Sequence, residues 1–262
     1  MTDFATLDIN GPTATLTINR PDARNALSLE LLEALHARMD ELEPIVNTDN
    51  PDRPRVVVIT GSGRAFCAGM DLKQVIIDKD SGGSGNPTLP LQLLTSLAKL
   101  TLRVRTLPAV TLAAVNGAAI GGGCGLACVC DLAISHADAK LGFPEVDLAL
   151  CPAVIAPWVI KKLGAGPARR ALLMGGVMSG TAAHAIGVVD ELAEDADGLR
   201  TLVEETAERL ATGGPEALAA TKGLLNQLDG SLDESLVLRG AELSASVLAT
   251  EDAQRRLIAR LR

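Results

Sequence analysis

Two runs of β-branched and small apolar residues constrain this chain more than any other feature: 55–60 (Arg-Val-Val-Val-Ile-Thr) and 109–115 (Ala-Val-Thr-Leu-Ala-Ala-Val). Neither alternates polar with apolar residues, so each reads as a buried strand. Each run leads into a stretch of small residues. The first leads to Phe66-Cys67-Ala68-Gly69-Met70-Asp71-Leu72, the second to Asn116-Gly117-Ala118-Ala119-Ile120-Gly121-Gly122-Gly123-Cys124-Gly125. Both stretches read as turns that leave one backbone N–H free to point into a cleft. Two such groups converging on one carbonyl oxygen would form an oxyanion hole, which stabilises negative charge as it develops and suits thioester chemistry. Within the second stretch, Gly122 is the best-placed donor, because the small residues 124–130 suit a tightly packed helix whose N-terminus favours negative charge.

The rest of the chain alternates strands and helices before turning helical. Residues 5–9 and 13–19 alternate around Asn10-Gly11-Pro12 and predict a β-hairpin. Ser28 caps a helix carrying Leu29, Leu32, Leu35, Met39 and Leu42 on one face, expected to end near Pro44. Residues 80–87 (Asp-Ser-Gly-Gly-Ser-Gly-Asn-Pro) form a flexible loop before a helix over 89–106, and read either as a mobile lid or as a tolerant surface insertion. Beyond Leu150 the pattern predicts helices at 153–163, 167–174, 198–211, 215–228 and 232–262. The expectation is an α/β (α+β) fold, with a core over residues 1–195 and a C-terminal helical region over 196–262 that covers the site or a neighbouring subunit. The charged end at 255–262 reads as a solvated helix face.

Composition removes several classes of function. A net charge of -8 argues against a general nucleic-acid binder, and 2% aromatic content, with Trp158 the one Trp and no Tyr, leaves no stacking platform for single strands. No apolar run reaches the ~18 residues needed to span a bilayer, and the start Met1-Thr2-Asp3-Phe4 lacks the basic region of a signal peptide. A cytoplasmic enzyme is expected. The 5 cysteines are odd in number and mostly lie in apolar stretches, which predicts reduced, packed thiols rather than a disulfide framework. Cys124, Cys128 and Cys130 lack the partner pair a metal site would need, so no metal is expected. The glycine run matches neither the G-x-G-x-x-G dinucleotide pattern nor a phosphate loop ending in G-K-[ST], which leaves close backbone approach or simple packing as its purpose.

With Arg20-Pro21-Asp22-Ala23-Arg24-Asn25-Ala26-Leu27 and Ser62-Gly63-Arg64-Ala65 added to the two turns, the chain resembles the enoyl-CoA hydratase/isomerase (crotonase) superfamily. The resemblance extends through Cys130-Asp131-Leu132-Ala133, Phe143-Pro144-Glu145-Val146, Gly187-Val188-Val189-Asp190 and Ala220-Thr221-Lys222, covering residues 5 to 258. It implies a crotonase-like spiral of ββα units and a homotrimer or dimer of trimers with contacts through the C-terminal helices. It also implies an acyl-CoA substrate, with CoA as part of the substrate and no separate cofactor. By the same resemblance, the N–H groups of Met70 and Gly122 would bind the thioester oxygen. Met70, Asp71, Leu72 and Lys73, with Ala26 and Ala68, would line the acyl and pantetheine path, and Arg24 would sit near the CoA phosphates. Arg24 and Lys73 also read as ordinary solvated cations.

Hydratases of this superfamily place two glutamates about the double bond. Here one position is Glu145 and the other is Gly125. Hydration then falls to Glu145 alone, as base toward water and, once protonated, as acid toward the α-carbon. An apolar setting of Phe143, Val146 and Leu148 would raise its pKa to suit both steps. Gly125 is expected to leave space for a branched or carboxylated acyl group, or for an ordered water. The blocks around Gly122 and Glu145 are similar to bacterial methylglutaconyl-CoA and carboxygeranoyl-CoA hydratases, although Asp147 stands where those often carry a basic residue. The rival readings are a Δ3,Δ2-enoyl-CoA isomerase, which needs one carboxylate, and a non-catalytic acyl-CoA-binding homologue.

Overall fold

The computed structural model describes residues 3–78 and 80–261, so that Met1 and Thr2 of the acidic start and Arg262 of the charged end lie outside the described residues. A hairpin opens the chain. Strands β1 (Ala5–Asn10) and β2 (Thr13–Ile18) pair antiparallel from Ala5↔Ile18 to Asn10↔Thr13, with Gly11 at φ 56° turning the corner. Helix α1 (Leu29–Val46) follows, capped by Ser28, whose hydroxyl accepts from the Leu31 N–H, and it buries Leu31, Leu32, Leu35, Met39 and Leu42. The expected stop at Pro44 does not occur. A proline in the last turn removes only the one bond its own N–H would have made, and the Asn47 N–H closes the helix on the Glu43 carbonyl.

From there the chain repeats one motif: a long strand, a short strand, then helix. The first turn is β3 (Val56–Gly61), β4 (Ala65–Cys67) and the short α2 (Leu72–Val75) followed by α3 (Leu89–Thr106). The second is β5 (Val110–Val115), β6 (Ala118–Ile120) and α4 (Gly122–Val129). The third is β7 (Leu132–His136), β8 (Lys140–Gly142) and α5 (Ala156–Leu163). After α6 (Ala165–Met174) come β9 (Val177–Ser179), α7 (Gly180–Ala185) and β10 (Glu191–Ala193), then α8 (Ala196–Ala211), α9 (Pro215–Leu228), α10 (Glu234–Leu248) and α11 (Glu251–Leu261). The long strands form one sheet of order β1-β2-β3-β5-β7-β10, and the short ones a second of order β4-β6-β8-β9.

Strands β3, β5 and β7 carry apolar residues on both faces because both faces of their sheet are covered. Val56, Val58, Leu112 and Ile134 pack with Leu199, Val203, Ala207 and Ala211 of α8, while Val57, Ile59, Ala113 and Val115 belong to the main core with α1, α3 and α4. Strands β9 and β10 correct the expectation of an all-helical stretch after Leu150. Each is 3 residues long, too short for a period-2 pattern to register beside its helical neighbours. The helix expected over 232–262 is broken at Thr250, whose carbonyl accepts the Gln254 N–H and starts α11 afresh. The C-terminal helices share the main core through Val237, Ala241, Leu248 and Leu257. Buried Lys222 pins α9 to the sheet, its Nζ donating to the Ala109 carbonyl at 2.9 Å and pairing with Asp131 at 2.8 Å. No described helix is long and apolar enough to cross a membrane.

Candidate active site

The second sheet positions the site. Strands β4 and β6 run parallel with Cys67 opposite Ala119, so the chain leaves both strands at the same end and in the same direction. Three residues beyond that matched pair stand Met70 on one strand and Gly122 on the other. The turns approach so closely that a Cβ on Gly69, at φ 86°, would sit 2.7 Å from the Ile120 carbonyl oxygen and 3.9 Å from the Gly122 nitrogen. Only glycine tolerates that contact in that backbone conformation.

Hydrogen bonding explains why two amides remain unused. The Leu27 N–H donates to the Gly69 carbonyl at 2.8 Å and the Asp71 N–H donates to the Leu27 carbonyl at 3.0 Å, while Ala68 donates to Arg24 at 3.0 Å. Alternation of the parallel bridge between Leu27 and Met70 therefore turns the Met70 N–H away from its partner strand. On the other turn, Gly121 at φ 54° donates to the Gly142 carbonyl, and Gly122 is the first residue of α4, where helix N–H groups have no intrahelical acceptor. Among the described residues, neither the Met70 nor the Gly122 N–H has a hydrogen-bond acceptor.

Met70 and Gly122 both line a cavity of about 100 Å³. Its wall includes Ala68, Met70, Leu72, Gly122 and Glu145 of the residues expected from the sequence, together with Leu94 and Leu97 of α3, Leu150 to Pro152, Ile155, and Ser244 and Leu248 of α10. Glu145 sits against Gly121, where an added Cβ would lie 2.8 Å from Oε1. Its Oε2 is sealed from solvent and has no hydrogen-bond partner. Burial, with Asp147 nearby, pushes its pKa up to about 7, in the direction the apolar flanks predicted. Asp147 itself turns outward, accepting the Gly176 N–H at 2.8 Å.

Five expected residues are not on the cavity wall. Arg24 and Lys73 are exposed and make no ion pair among the described residues. Asp71 is a brace: it caps α2 through the Lys73 N–H and pairs with Arg20 at 2.7 Å, while Arg20 also donates to the Ala26 carbonyl at 3.0 Å. Gly125 corrects an expectation. It leaves no vacancy, because Ile155 occupies the place of the missing side chain, its Cγ2 only 2.2 Å from where a Cβ would be. The loop over 80–87 does not reach the cavity wall. It follows the segment 75–77, which Gln254 of α11 holds by accepting the Ile77 N–H at 2.8 Å and donating to the Val75 carbonyl at 3.2 Å.

Sequence reasoning missed the two asparagines that shape the turns. Asn25 is fully buried at φ 57°, its side chain accepting from the Arg20 N–H and donating to the Ser62 and Ala65 carbonyls. Asn116 donates to Gly61 and Gly63 and accepts from the Gly61 N–H. Each stood inside a quoted block, yet the carbonyls it donates to lie 37 to 55 positions away. All 5 cysteines are unpaired, as expected of reduced thiols, and among the described residues no group of three or more His, Cys, Asp or Glu is arranged to hold a metal ion.

A two-sheet spiral of ββα units followed by a helical C-terminal region is the architecture of the crotonase fold. A crystallised enoyl-CoA hydratase from Mycobacterium avium superposes with a TM-score of 0.83 at 27% identity, covering 100% of this chain and 97% of that one. A Thermus thermophilus protein provisionally named enoyl-CoA hydratase is 36% identical over 220 residues, 84% of this chain and 83% of that one. The 2,3-dehydroadipyl-CoA hydratase of Escherichia coli is 32% identical over 238 residues, covering 90% and 87%. The family model described as enoyl-CoA hydratase/isomerase matches residues 8–257. The chain belongs to the enoyl-CoA hydratase/isomerase family.

Proposed function

We propose that this protein adds water to an α,β-unsaturated acyl-CoA, with the Met70 and Gly122 N–H groups holding the thioester oxygen and Glu145 as the single general acid/base. The observation that carries this reading is the buried, unpartnered Glu145 Oε2 with its pKa near 7, on the same small cavity as two unused amides. Ionised Glu145 takes a proton from water as the water oxygen bonds to the β-carbon. The electron pair of the double bond moves onto the thioester oxygen, where the two amides receive the charge. Protonated Glu145 then returns its proton to the α-carbon. Water adds across the double bond, hydroxyl to the β-carbon and proton to the α-carbon, with no net oxidation or reduction, so the reaction calls for no redox cofactor, and CoA enters as part of the substrate.

Arg24 and Lys73, exposed beside the Ala68 and Met70 turn, are the cations available to the CoA phosphates. The assignment to methylglutaconyl-CoA or carboxygeranoyl-CoA has weaker support, since among the described residues no Lys, Arg or His lines the cavity to receive a substrate carboxylate. A trimer or dimer of trimers is supported by the exposed Leu224, Leu225 and Leu228 of α9, Leu232 in the turn after it and Leu236 of α10, apolar surface suited to association and checkable by light scattering. Free thiols accord with a cytoplasmic setting.

A second reading, Δ3,Δ2-enoyl-CoA isomerisation, is favoured by Ile155 packing on Gly125, which leaves Glu145 without a second carboxylate to orient water. The test is loss of conjugated-thioester absorbance with crotonyl-CoA, and conversion of a 3-enoyl-CoA to its 2-enoyl isomer, for wild type and Glu145→Gln. General acid/base catalysis contributes roughly 10²–10⁴-fold, so the mutant is expected to lose about that much of whichever activity the wild type has. Hydration by wild type carries the first reading; isomerisation without hydration replaces it with the second. If wild type turns over neither substrate yet binds the CoA esters, the fold serves acyl-CoA binding alone, and if Glu145→Gln keeps a wild-type rate, Glu145 is not the acid/base.

A further inference from the structure

The reaction end of the cavity is built from backbone, but its far wall is built from aliphatic side chains. Leu94 and Leu97 come from α3, Leu148 from the turn after Glu145, Val154 and Ile155 from the approach to α5, and Leu248 from α10. Two polar side chains on that wall are already engaged or neutral. The Ser244 hydroxyl donates to the Cys151 carbonyl at 2.8 Å and accepts the Ala153 N–H at 3.1 Å, and burial holds the Cys151 thiol above its ordinary pKa. Among the described residues, no Lys, Arg or His lines the cavity. A carboxylate carried into this space would meet Glu145 as the one ionisable carboxyl on that described wall, and an unpaired buried carboxylate is strongly disfavoured.

Ile155 gives the wall its shape. It is buried at 2% exposure and fills the place of a side chain at position 125, where an added Cβ would lie 2.2 Å from its Cγ2 and 2.5 Å from its Cβ. The segment carrying it is also backed by helix. Gly240 of α10 packs on it so tightly that a Cβ there would lie 2.6 Å from the Ala153 carbonyl oxygen, and Ser244 clamps Cys151 and Ala153 in the next turn. These contacts hold the wall firmly from the α10 side as an acyl group enters. The cavity of about 100 Å³ is smaller than the ~150 Å³ that accommodates a benzene ring, which favours a short acyl group.

From this geometry we infer that Ile155 is the specificity-determining residue of the site, closing its acyl end so that it accepts short, uncharged aliphatic acyl groups. The inference rests on the acyl-CoA reading above. It is independent of whether hydration or isomerisation follows, because both reactions place the acyl group in the same space.

Binding of saturated thioesters tests it without requiring turnover. Butyryl-CoA, octanoyl-CoA, glutaryl-CoA and free CoA are titrated by calorimetry into the full-length protein in its native oligomeric state, as wild type, Ile155→Val and Ile155→Ala. Wild type is expected to bind butyryl-CoA about tenfold or more tighter than octanoyl-CoA or glutaryl-CoA. Ile155→Ala is expected to bring octanoyl-CoA to within about threefold of butyryl-CoA, with Ile155→Val intermediate, while glutaryl-CoA stays weak because no cation has been added. Equal wild-type affinity for butyryl-CoA and glutaryl-CoA overturns the inference. So does an unchanged butyryl-to-octanoyl ratio in both variants, and if Ile155→Ala does not fold, Ile155→Val and the wild-type series still decide. Failure of every acyl-CoA to bind would instead remove the acyl-CoA reading, and this inference with it.

Discussion

The two ends of the cavity are made of different material. At one end, Gly69 to Met70 and Gly121 to Gly122 present main-chain amides fixed by adjacent parallel strands, with no side chain needed. At the other, Glu145, Ile155, Ser244 and Leu248 converge from a 3-10 turn, a loop and α10, elements that meet only in the tertiary fold. Backbone donors on a sheet are pre-organised and hard to change by point mutation, so they suit the part of a reaction common to every thioester. Side chains from separate elements vary independently, so they suit selection of the acyl group and the fate of its proton.

The largest effect expected at the backbone end comes from Gly121→Ala. The substitution puts a Cβ on a residue at φ 54° and 2.8 Å from the Glu145 Oε1, so it displaces the Gly122 amide and the carboxylate together. Loss of one oxyanion donor costs about 10²–10³ in kcat, and a drop of that size with thermal stability lowered only modestly would sharpen the contrast between the two ends. A variant that kept wild-type turnover would break it, because the amide would then have no part in the reaction.

The side-chain end has a pH signature with a definite sign. Glu145 ionises at about 7 in the folded protein against an ordinary value of 4.5, so the folded state holds its proton more tightly than the unfolded state. Its neutral form favours folding at low pH, and that contribution is lost as pH rises from the unfolded pKa through the folded one. Glu145→Gln, neutral at every pH, is therefore expected to gain about 1–3 kcal/mol of stability over wild type at pH 8 and almost nothing at pH 4, measured by urea unfolding. As the base must be ionised, kcat/KM should also fall about tenfold per unit below pH 7. A wild-type rate flat between pH 5 and 8 would remove Glu145 from the base role.

The difference between the two ends also decided how much of the site was legible in the sequence. Gly122 could be read because a glycine run after a strand advertises close backbone approach, whereas Met70 could be named only through the family resemblance of its turn. Glu145 stood out as a carboxylate among apolar neighbours. Ile155 could not be read, because nothing in Val-Ile-Ala-Pro announces that its side chain will fill a gap left on α4, and the vacancy expected at Gly125 was closed by a residue from another element. The same limit hid Asn25 and Asn116, whose roles exist only once strands β3 to β6 have been brought together. The core strands and long helices followed from local periodicity, whereas the three-residue β9 and β10 were invisible for want of length.

The smallest expected effect lies where the last helix touches both ends. Gln254 grips the backbone of Val75 and Ile77 just beyond the Met70 turn, while Arg256 of the same helix reaches the Asp147 carbonyl near Glu145 at 3.3 Å. Helix α11 is thus a strap between the backbone-built and side-chain-built ends, anchored by fully buried Ala253 and Leu257. Removing its amide in Gln254→Ala leaves the Ile77 N–H without its partner, at a cost of about 1–3 kcal/mol. If the strap sets the spacing of the two ends, kcat should fall severalfold while butyryl-CoA affinity changes less, because proton transfer depends on that spacing more steeply than binding does. Equal losses in kcat and affinity, or a loss of stability alone, would make Gln254 a structural clasp and leave the two ends mechanically independent.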